Sequence, residues 1–201
     1  MKAFVLAEPG KVKWFDAPEP QLVPYGAILK PVAVTPCSSD VHTVFGGGSK
    51  KQDNLVLGHE CIAEVVSVGE NVCDFKTGDR VAVPAITPDW REKSIQEGND
   101  RHASAPFSGH QLGRTQPGVF SERFLIKDAD TTLAHIPQKI SEEQALMSVD
   151  VVTTGFTGAE YADIKIGDTV CVIGIGPIGL MAVAGAKLRG AARIIAVGTR
   201  P

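Results

Sequence analysis

Asp168-Thr169-Val170-Cys171-Val172-Ile173-Gly174-Ile175-Gly176-Pro177-Ile178-Gly179-Leu180 carries the clearest fold signal in the chain. Its opening half is almost fully apolar, as a strand buried in a parallel sheet must be. Gly174 to Gly179 then matches G-x-G-x-x-G. That pattern alone is weak, but here it leaves an apolar strand and opens an Ala-rich helix, Leu180 to Arg189, with basic residues in its last turn. Ala192 to Val197 supplies the next apolar strand. The stretch therefore predicts a βαβ unit. Gly174 permits the tight turn, Gly176 lets the backbone approach a pyrophosphate, and Gly179 lets helix and strand pack closely, with Pro177 and Ile178 completing the loop. The amides at the helix start and the helix dipole receive the phosphate charge. A glycine-rich turn in an α/β fold that binds no nucleotide is the competing reading.

Beyond the second strand lies Gly198-Thr199-Arg200. An NAD site usually places a carboxylate there to hold the ribose 2′-hydroxyl, and a carboxylate would repel a 2′-phosphate. Glycine makes room, Thr199 offers a hydroxyl, and Arg200 offers a charge-assisted hydrogen bond, so NADP is expected rather than NAD. Arg200 read as a solvated loop charge is the alternative.

Upstream the pattern changes. Ala27–Val34, Ile62–Val68 and Arg80–Val83 read as strands, and Met1 to Gly10 as a first strand. Pro84 to Gly118 is polar and weakly periodic, as a long excursion from the β region. Val119 to Ile126 returns to strand character. Ser141-Glu142-Glu143-Gln144 has the form of a helix start with Gln at N3. A helix is expected from there through Met147 to Thr154, and a second, short one over Phe156 to Tyr161. Short strands separated by turns suggest a barrel or sandwich-like β domain.

Composition narrows the function classes. The 201 residues are 43% hydrophobic and 21% charged, with a formal net charge of −3, so a packed core is expected and nucleic acid is not an expected partner. The most apolar later stretch, Val170 to Ala186, is interrupted by four glycines and a proline, so no membrane span is expected. Cys37, Cys61, Cys73 and Cys171 occur without a secretory signal and fit free thiols or a metal ligand in a cytoplasmic protein.

Cys37, His59, Glu60 and Asp150 lie far apart, and no short spacing rule joins them. Taken singly, a cysteine reads as a small core residue, a histidine as a hydrogen-bonded core group and an aspartate as a helix-surface charge. Their settings are more specific. Thr35-Pro36-Cys37-Ser38-Ser39-Asp40-Val41-His42 puts a thiol after a strand, with hydroxyls and an imidazole close behind, and Leu57-Gly58-His59-Glu60 puts His and Glu at the start of another.

Gly58-His59-Glu60, the preceding Cys37, the run Val83 to Trp90 and the G-x-G-x-x-G together resemble the zinc-containing medium-chain alcohol dehydrogenases, most closely the NADP-dependent secondary alcohol dehydrogenases, over essentially the whole chain. The resemblance implies a mixed β and α/β fold: a GroES-like β-barrel-type catalytic domain over 1–152, then the first βαβ unit of a Rossmann domain over 153–201. It implies that Cys37, His59 and Asp150 hold one catalytic zinc, with Glu60 as a nearby or exchangeable fourth ligand. Such a thiolate, imidazole and carboxylate set suits zinc with a position left open. The implied reaction is hydride transfer between NADP(H) and a small secondary alcohol or ketone. Ser39 takes the hydroxyl proton and His42 passes it to solvent; a turn with local hydrogen bonds is the competing reading of this pair.

The chain also departs from the family pattern. The Pro84–Gly118 excursion contains no cysteine, so no structural zinc is expected. His110 stands where related enzymes place a Trp in the substrate pocket. Cys61 reads as a packed strand residue, and His102 and His135 carry no functional signal. The family fold continues beyond one βαβ unit, so the chain is expected to be C-terminally truncated and, alone, weakly active or inactive; complete relatives form homotetramers. Two other readings stand beside this one: a zinc-free NADPH quinone or enoyl reductase, and a non-catalytic pseudoenzyme or interaction module.

Overall fold

A computed structural model describes residues 1–46, 53–88, 92–98 and 109–199. The chain divides into two compact units, Met1–Leu146 and Met147–Pro201.

The first unit is built on two antiparallel sheets. In the smaller, β1 (Lys2–Glu8) lies between β2 (Lys11–Asp16) and β4 (Leu55–Val56). In the larger, β3 (Ala27–Val34), β5 (Cys61–Val68), β6 (Arg80–Val83), β7 (Phe124–Ile126) and β8 (Ala134–His135) are ordered β7-β3-β5-β6-β8. Proline inside a strand is tolerated only where no ladder hydrogen bond is needed or the register shifts. Pro31 meets both conditions: β7 pairs only with Ala27 to Leu29, and the β3–β5 register shifts between Pro31 and Ala33.

One face of the larger sheet forms the core. Leu29, Ala63, Val65, Val81, Val83, Phe124 and Ile126 are buried there with Leu112 and Val119. Each such large side chain contributes about 1.5–3 kcal/mol of burial. Between the strands lie α1 (Ser38–Phe45), the single turn α2 (Lys93–Gln96) and the short α3 (Ala129–Thr132). The expected strand over Val119–Ile126 is confined to β7, because Gly118 to Ser121 instead crosses beside β1 and the Leu57–Gly58 turn. The helix α4 (Glu142–Ser148) opens as the sequence predicts: the Ser141 amide donates to the Gln144 side chain at 3.1 Å, and the Gln144 amide to Ser141 Oγ at 3.3 Å.

The expected run through Thr154 is broken. Helix α4 stops at Ser148, and a separate α5 spans Val151–Tyr161 as one helix in place of the short one expected from Phe156. Asp150 is the N-cap of α5, with φ −144° and ψ −59°.

In the second unit, β9 (Thr169–Ile173), α6 (Pro177–Leu188) and β10 (Arg193–Val197) form a βαβ unit, with β9 and β10 parallel and in register. Helix α6 begins three residues earlier than the sequence suggested, with Pro177 in its first turn, where a missing amide costs nothing. Helices α5 and α6 approach closely at Gly155, where an added Cβ would lie 2.7 Å from the Ile178 carbonyl oxygen. No helix among the described residues is long and apolar enough to cross a membrane. The first unit is an antiparallel β domain and the second contains one parallel βαβ unit, the two kinds of structure that the sequence predicts.

Candidate metal and cofactor sites

The residues after β3 turn directly into α1, which places Cys37 at the N-cap and Ser39, Asp40 and His42 in the first turn and a half. The residues after β4 make a second turn at Gly58, whose φ of +91° is the left-handed region that favours glycine. His59 and Glu60 follow immediately and lead into β5. They are 1% and 2% exposed, and Asp40 is 6% exposed. Burying this many ionisable groups is costly unless they pair or hold a cation.

Asp40 ties the two turns together. Its Oδ2 accepts the Cys37 amide at 2.9 Å, and its Oδ1 accepts the Gly58 amide at 3.2 Å and lies 3.2 Å from His59 Nδ1. Burial alone would raise the Asp40 carboxyl, but the His59 contact and the two backbone amides outweigh it and hold the group below its ordinary value. An ionised carboxylate can only accept, so Nδ1 carries a ring proton, and the neutral imidazole then keeps its lone pair on Nε2. Ser39 Oγ lies 3.2 Å from that Nε2, and a Glu60 oxygen lies 3.8 Å from it.

Cys37, His59 and Glu60 each offer one ligand atom, and these lie within 4.8 Å of one another. A cysteine sulfur, an imidazole nitrogen and a carboxylate oxygen so gathered, with the imidazole fixed from behind by Asp40, are donor types that zinc accepts.

A glycine-lined wall supports the His59 turn. The Gly118 amide donates to the Val56 carbonyl at 2.8 Å, the Val119 amide to Gly58 at 3.1 Å and the Phe120 amide to Leu57 at 2.9 Å. A Cβ on Gly118 would run into the Gly58 and Leu57 carbonyls. The ring of His110 stands 4.3 Å from that of His59, inclined by 58°.

The other predicted positions are less enclosed. His42 is exposed on α1, three residues after Ser39. Asp150 is half-buried, and its Oδ1 accepts the Thr154 hydroxyl at 2.6 Å. Cys61 is buried in β5, and its thiol is pushed well above the ordinary range by burial, as suits a packing residue. His135 stacks on Phe75, its Nε2 3.0 Å from the Asp74 carbonyl. All four cysteines are free thiols.

Sequence reasoning gave no role to Asp40. Its signal was a carboxylate at the third position of a helix start, in capping relation to Cys37; its reach to Gly58 and His59 is visible only in three dimensions.

In the second unit, Gly174 has φ +97°, and its amide donates to the Val197 carbonyl at 2.8 Å. Gly176 is the N-cap of α6, and a Cβ on either glycine would meet nothing within 4 Å, so the backbone there is open to a ligand. A Cβ on Gly179 would collide with the Gly174 carbonyl, so the third glycine serves packing. Gly198 and Thr199 are exposed just after β10, with Gly198 packed near the Ile175 side chain. Arg200 lies outside the described residues. The open loop, the helix N-terminus and the absence of an acidic residue at 198–199 fit a dinucleotide phosphate.

Comparison with known proteins finds relatives along the whole chain. Over 201 residues the chain is 55% identical to the NADP-dependent isopropanol dehydrogenase of Thermoanaerobacter brockii and 50% identical to that of Clostridium beijerinckii. In both cases all of this chain is covered and 57% of the relative, so the chain spans little more than half the length of these proteins. Among solved structures, the zinc-dependent alcohol dehydrogenase 2 from Streptococcus pneumonia superposes with a TM-score of 0.88 at 30% identity, covering 98% of this chain and 55% of that one. The alcohol dehydrogenase TADH from Thermus sp. ATN1 superposes with a TM-score of 0.89 at 28% identity, covering 100% and 59%. Residues 24–138, more than half of the chain, match the alcohol dehydrogenase GroES-like domain, and the chain belongs to that family.

Proposed function

We propose that this chain carries the metal-binding and nucleotide-binding parts of an NADP-dependent zinc alcohol dehydrogenase that interconverts small secondary alcohols and ketones. The observation that carries the reading is the approach of half-buried Cys37 to the buried His59 and Glu60, their ligand atoms within 4.8 Å of one another, with Asp40 fixing the imidazole. Residues 1–152 supply the catalytic part and 153–201 the cofactor part. Cys37, His59 and Asp150 hold one zinc ion, and Glu60 is the exchangeable fourth ligand. No second, structural zinc belongs to this chain, whose 84–118 excursion contains no cysteine.

When bound, zinc supplies Lewis acidity that makes an alcohol hydroxyl easier to deprotonate, and NADP supplies the hydride acceptor. The chain's own residues do the rest. Ser39, beside the ligating nitrogen of His59, receives the hydroxyl proton. His42, on the same side of α1 and exposed, releases it to water. Gly174, Gly176 and the amides opening α6, with Pro177, Ile178 and Gly179 shaping the loop, seat the pyrophosphate. Gly198, Thr199 and Arg200 accommodate the 2′-phosphate.

Metal analysis together with NADPH titration tests the reading. One chelator-removable zinc per chain is expected, lost in Cys37→Ser and His59→Gln. NADPH is expected to bind more tightly than NADH, and oxidation of 2-propanol with NADP to be detectable but slow. A folded sample that takes up no zinc would refute the proposal and favour a zinc-free reductase.

A further inference from the structure

The smaller sheet has an open edge. Among the described residues β2 pairs only with β1, and it is exposed along almost its whole length. The direction of its backbone groups follows from one end of the ladder. The Met1 amino group donates to the Ala17 carbonyl at 2.9 Å and the Ala17 amide to the Met1 carbonyl at 3.0 Å, so these two residues form a hydrogen-bonded pair. Such pairs alternate along an antiparallel ladder. Phe15 and Lys13 therefore bond to β1, whereas Val12, Trp14 and Asp16 turn their amides and carbonyls outward. The far side of β1 agrees, since the Phe4 amide donates away from β2, to the Phe120 carbonyl at 2.8 Å. Side chains alternate too. Phe4 meets Trp14 edge-on at 5.3 Å, and Leu6, opposite Val12, packs with Val44 of α1. Val12 at 41%, Trp14 at 69% and Phe45 at 73% exposure thus leave apolar surface on the side of the sheet that carries α1.

We propose that β2 is the edge through which two copies of this chain associate, strand against antiparallel strand about a twofold axis at Trp14. Only outward-facing residues can exchange bonds across such a contact, which restricts the register. Centred on Lys13, the contact would set that cation opposite its own copy, which is unfavourable. Centred on Phe15, it would set Val12 opposite Pro18, which has no amide to donate. Centred on Trp14, it pairs Trp14 with Trp14 and Val12 with Asp16 of the second copy, so all three outward residues bond. Lys13 then lies opposite Phe15 of the second copy. That cation–aromatic match already occurs within the strand, where Lys13 Nζ stands 5.3 Å from the centre of the Phe15 ring. Lysines on an edge strand guard against pairings that oppose cations, and this register avoids them. It also places a tryptophan at the centre of the contact, where anchors of association are commonly found.

Sedimentation equilibrium under reducing conditions tests this. One short strand against its copy buries less than the roughly 1,200 Å² of stable complexes, so a reversible monomer–dimer equilibrium is expected. Trp14→Pro removes an outward amide and no bond to β1, and Trp14→Lys sets like charges on the axis. Both should keep the parent's circular dichroism and weaken association at least tenfold. Disulfide trapping reads the register, in a chain whose exposed Cys73 and Cys171 are replaced by serine. Trp14→Cys should cross-link on oxidation, because residues so paired have Cα atoms about 5.5 Å apart. Val12→Cys should not, because its two copies are offset by four residues along the strands. None of these positions belongs to the proposed metal or nucleotide sites, so the outcome is independent of that reading. A parent chain that stays monomeric would overturn the inference and leave the edge to a strand of another protein. Association undiminished in Trp14→Pro and Trp14→Lys would overturn it in favour of a different surface. Cross-linking no greater at 14 than at 12 would overturn it as well.

Discussion

Asp40 Oδ1 lies 3.2 Å from His59 Nδ1, and the same carboxylate accepts the backbone amides of Cys37 and Gly58. One side chain thereby sets the position of two proposed ligands and the tautomer of one of them. Asp40→Asn is expected to preserve the fold and weaken zinc binding by roughly 10–100-fold, the usual cost of removing such a partner. Competition with a chromophoric chelator measures this. Unchanged affinity would reduce Asp40 to a helix-capping residue.

Gly118 faces the carbonyls of Leu57 and Gly58, which cannot retreat without moving His59. Gly118→Ala should cost about 1–3 kcal/mol, as forced overpacking does. Urea unfolding of the zinc-free chain reads the stability loss, and chelator competition reads the accompanying fall in zinc affinity. A loss of stability with zinc affinity untouched would show that the wall packs the core and does not position the metal ligand.

The four thiols differ in access. Cys73 and Cys171 are exposed, Cys37 is half-buried and Cys61 is buried. With zinc bound, Ellman's reagent should find the two exposed thiols quickly. Removing zinc should release Cys37, and Cys61 should react only on unfolding. Rapid reaction of Cys37 in the zinc-loaded protein would remove it from the ligand set.

Cys61 also sets a pH dependence. Burial raises its folded thiol pKa, whereas in the unfolded chain it ionises near the ordinary value of 9.0. Above that pH the unfolded chain has lost a proton that the folded chain keeps, so stability falls as pH rises. The slope from this one group is about 1.4 kcal/mol per pH unit. Cys61→Ala should flatten denaturation midpoints measured between pH 9 and 10.5 relative to the parent chain, as an order-of-magnitude effect.

The elements most legible in the sequence were those whose signal is contiguous. Strands β3, β5, β6, β9 and β10 and the glycine loop each carry their pattern within about ten residues, and all were placed to within a residue or two. Strands β4 and β8, two residues each, are too short to carry a pattern. The break at Asp150 was missed because neither Gly nor Pro marks it; local side-chain bonds to Thr153 and Thr154 restart the helix there. The proposed ligands came from family likeness, since only tertiary structure brings Cys37 beside His59. Asp40 lay beyond both routes, because its role consists of hydrogen bonds across 18 or 19 residues of chain.

The bridge between Thr87 and Gly109 closes the neck of the excursion that leaves β6. Closing a flexible loop is an entropic cost that grows slowly with length, about 0.6 kcal/mol for each doubling. The clasp therefore fixes where the excursion leaves and rejoins the sheet region, one residue before His110.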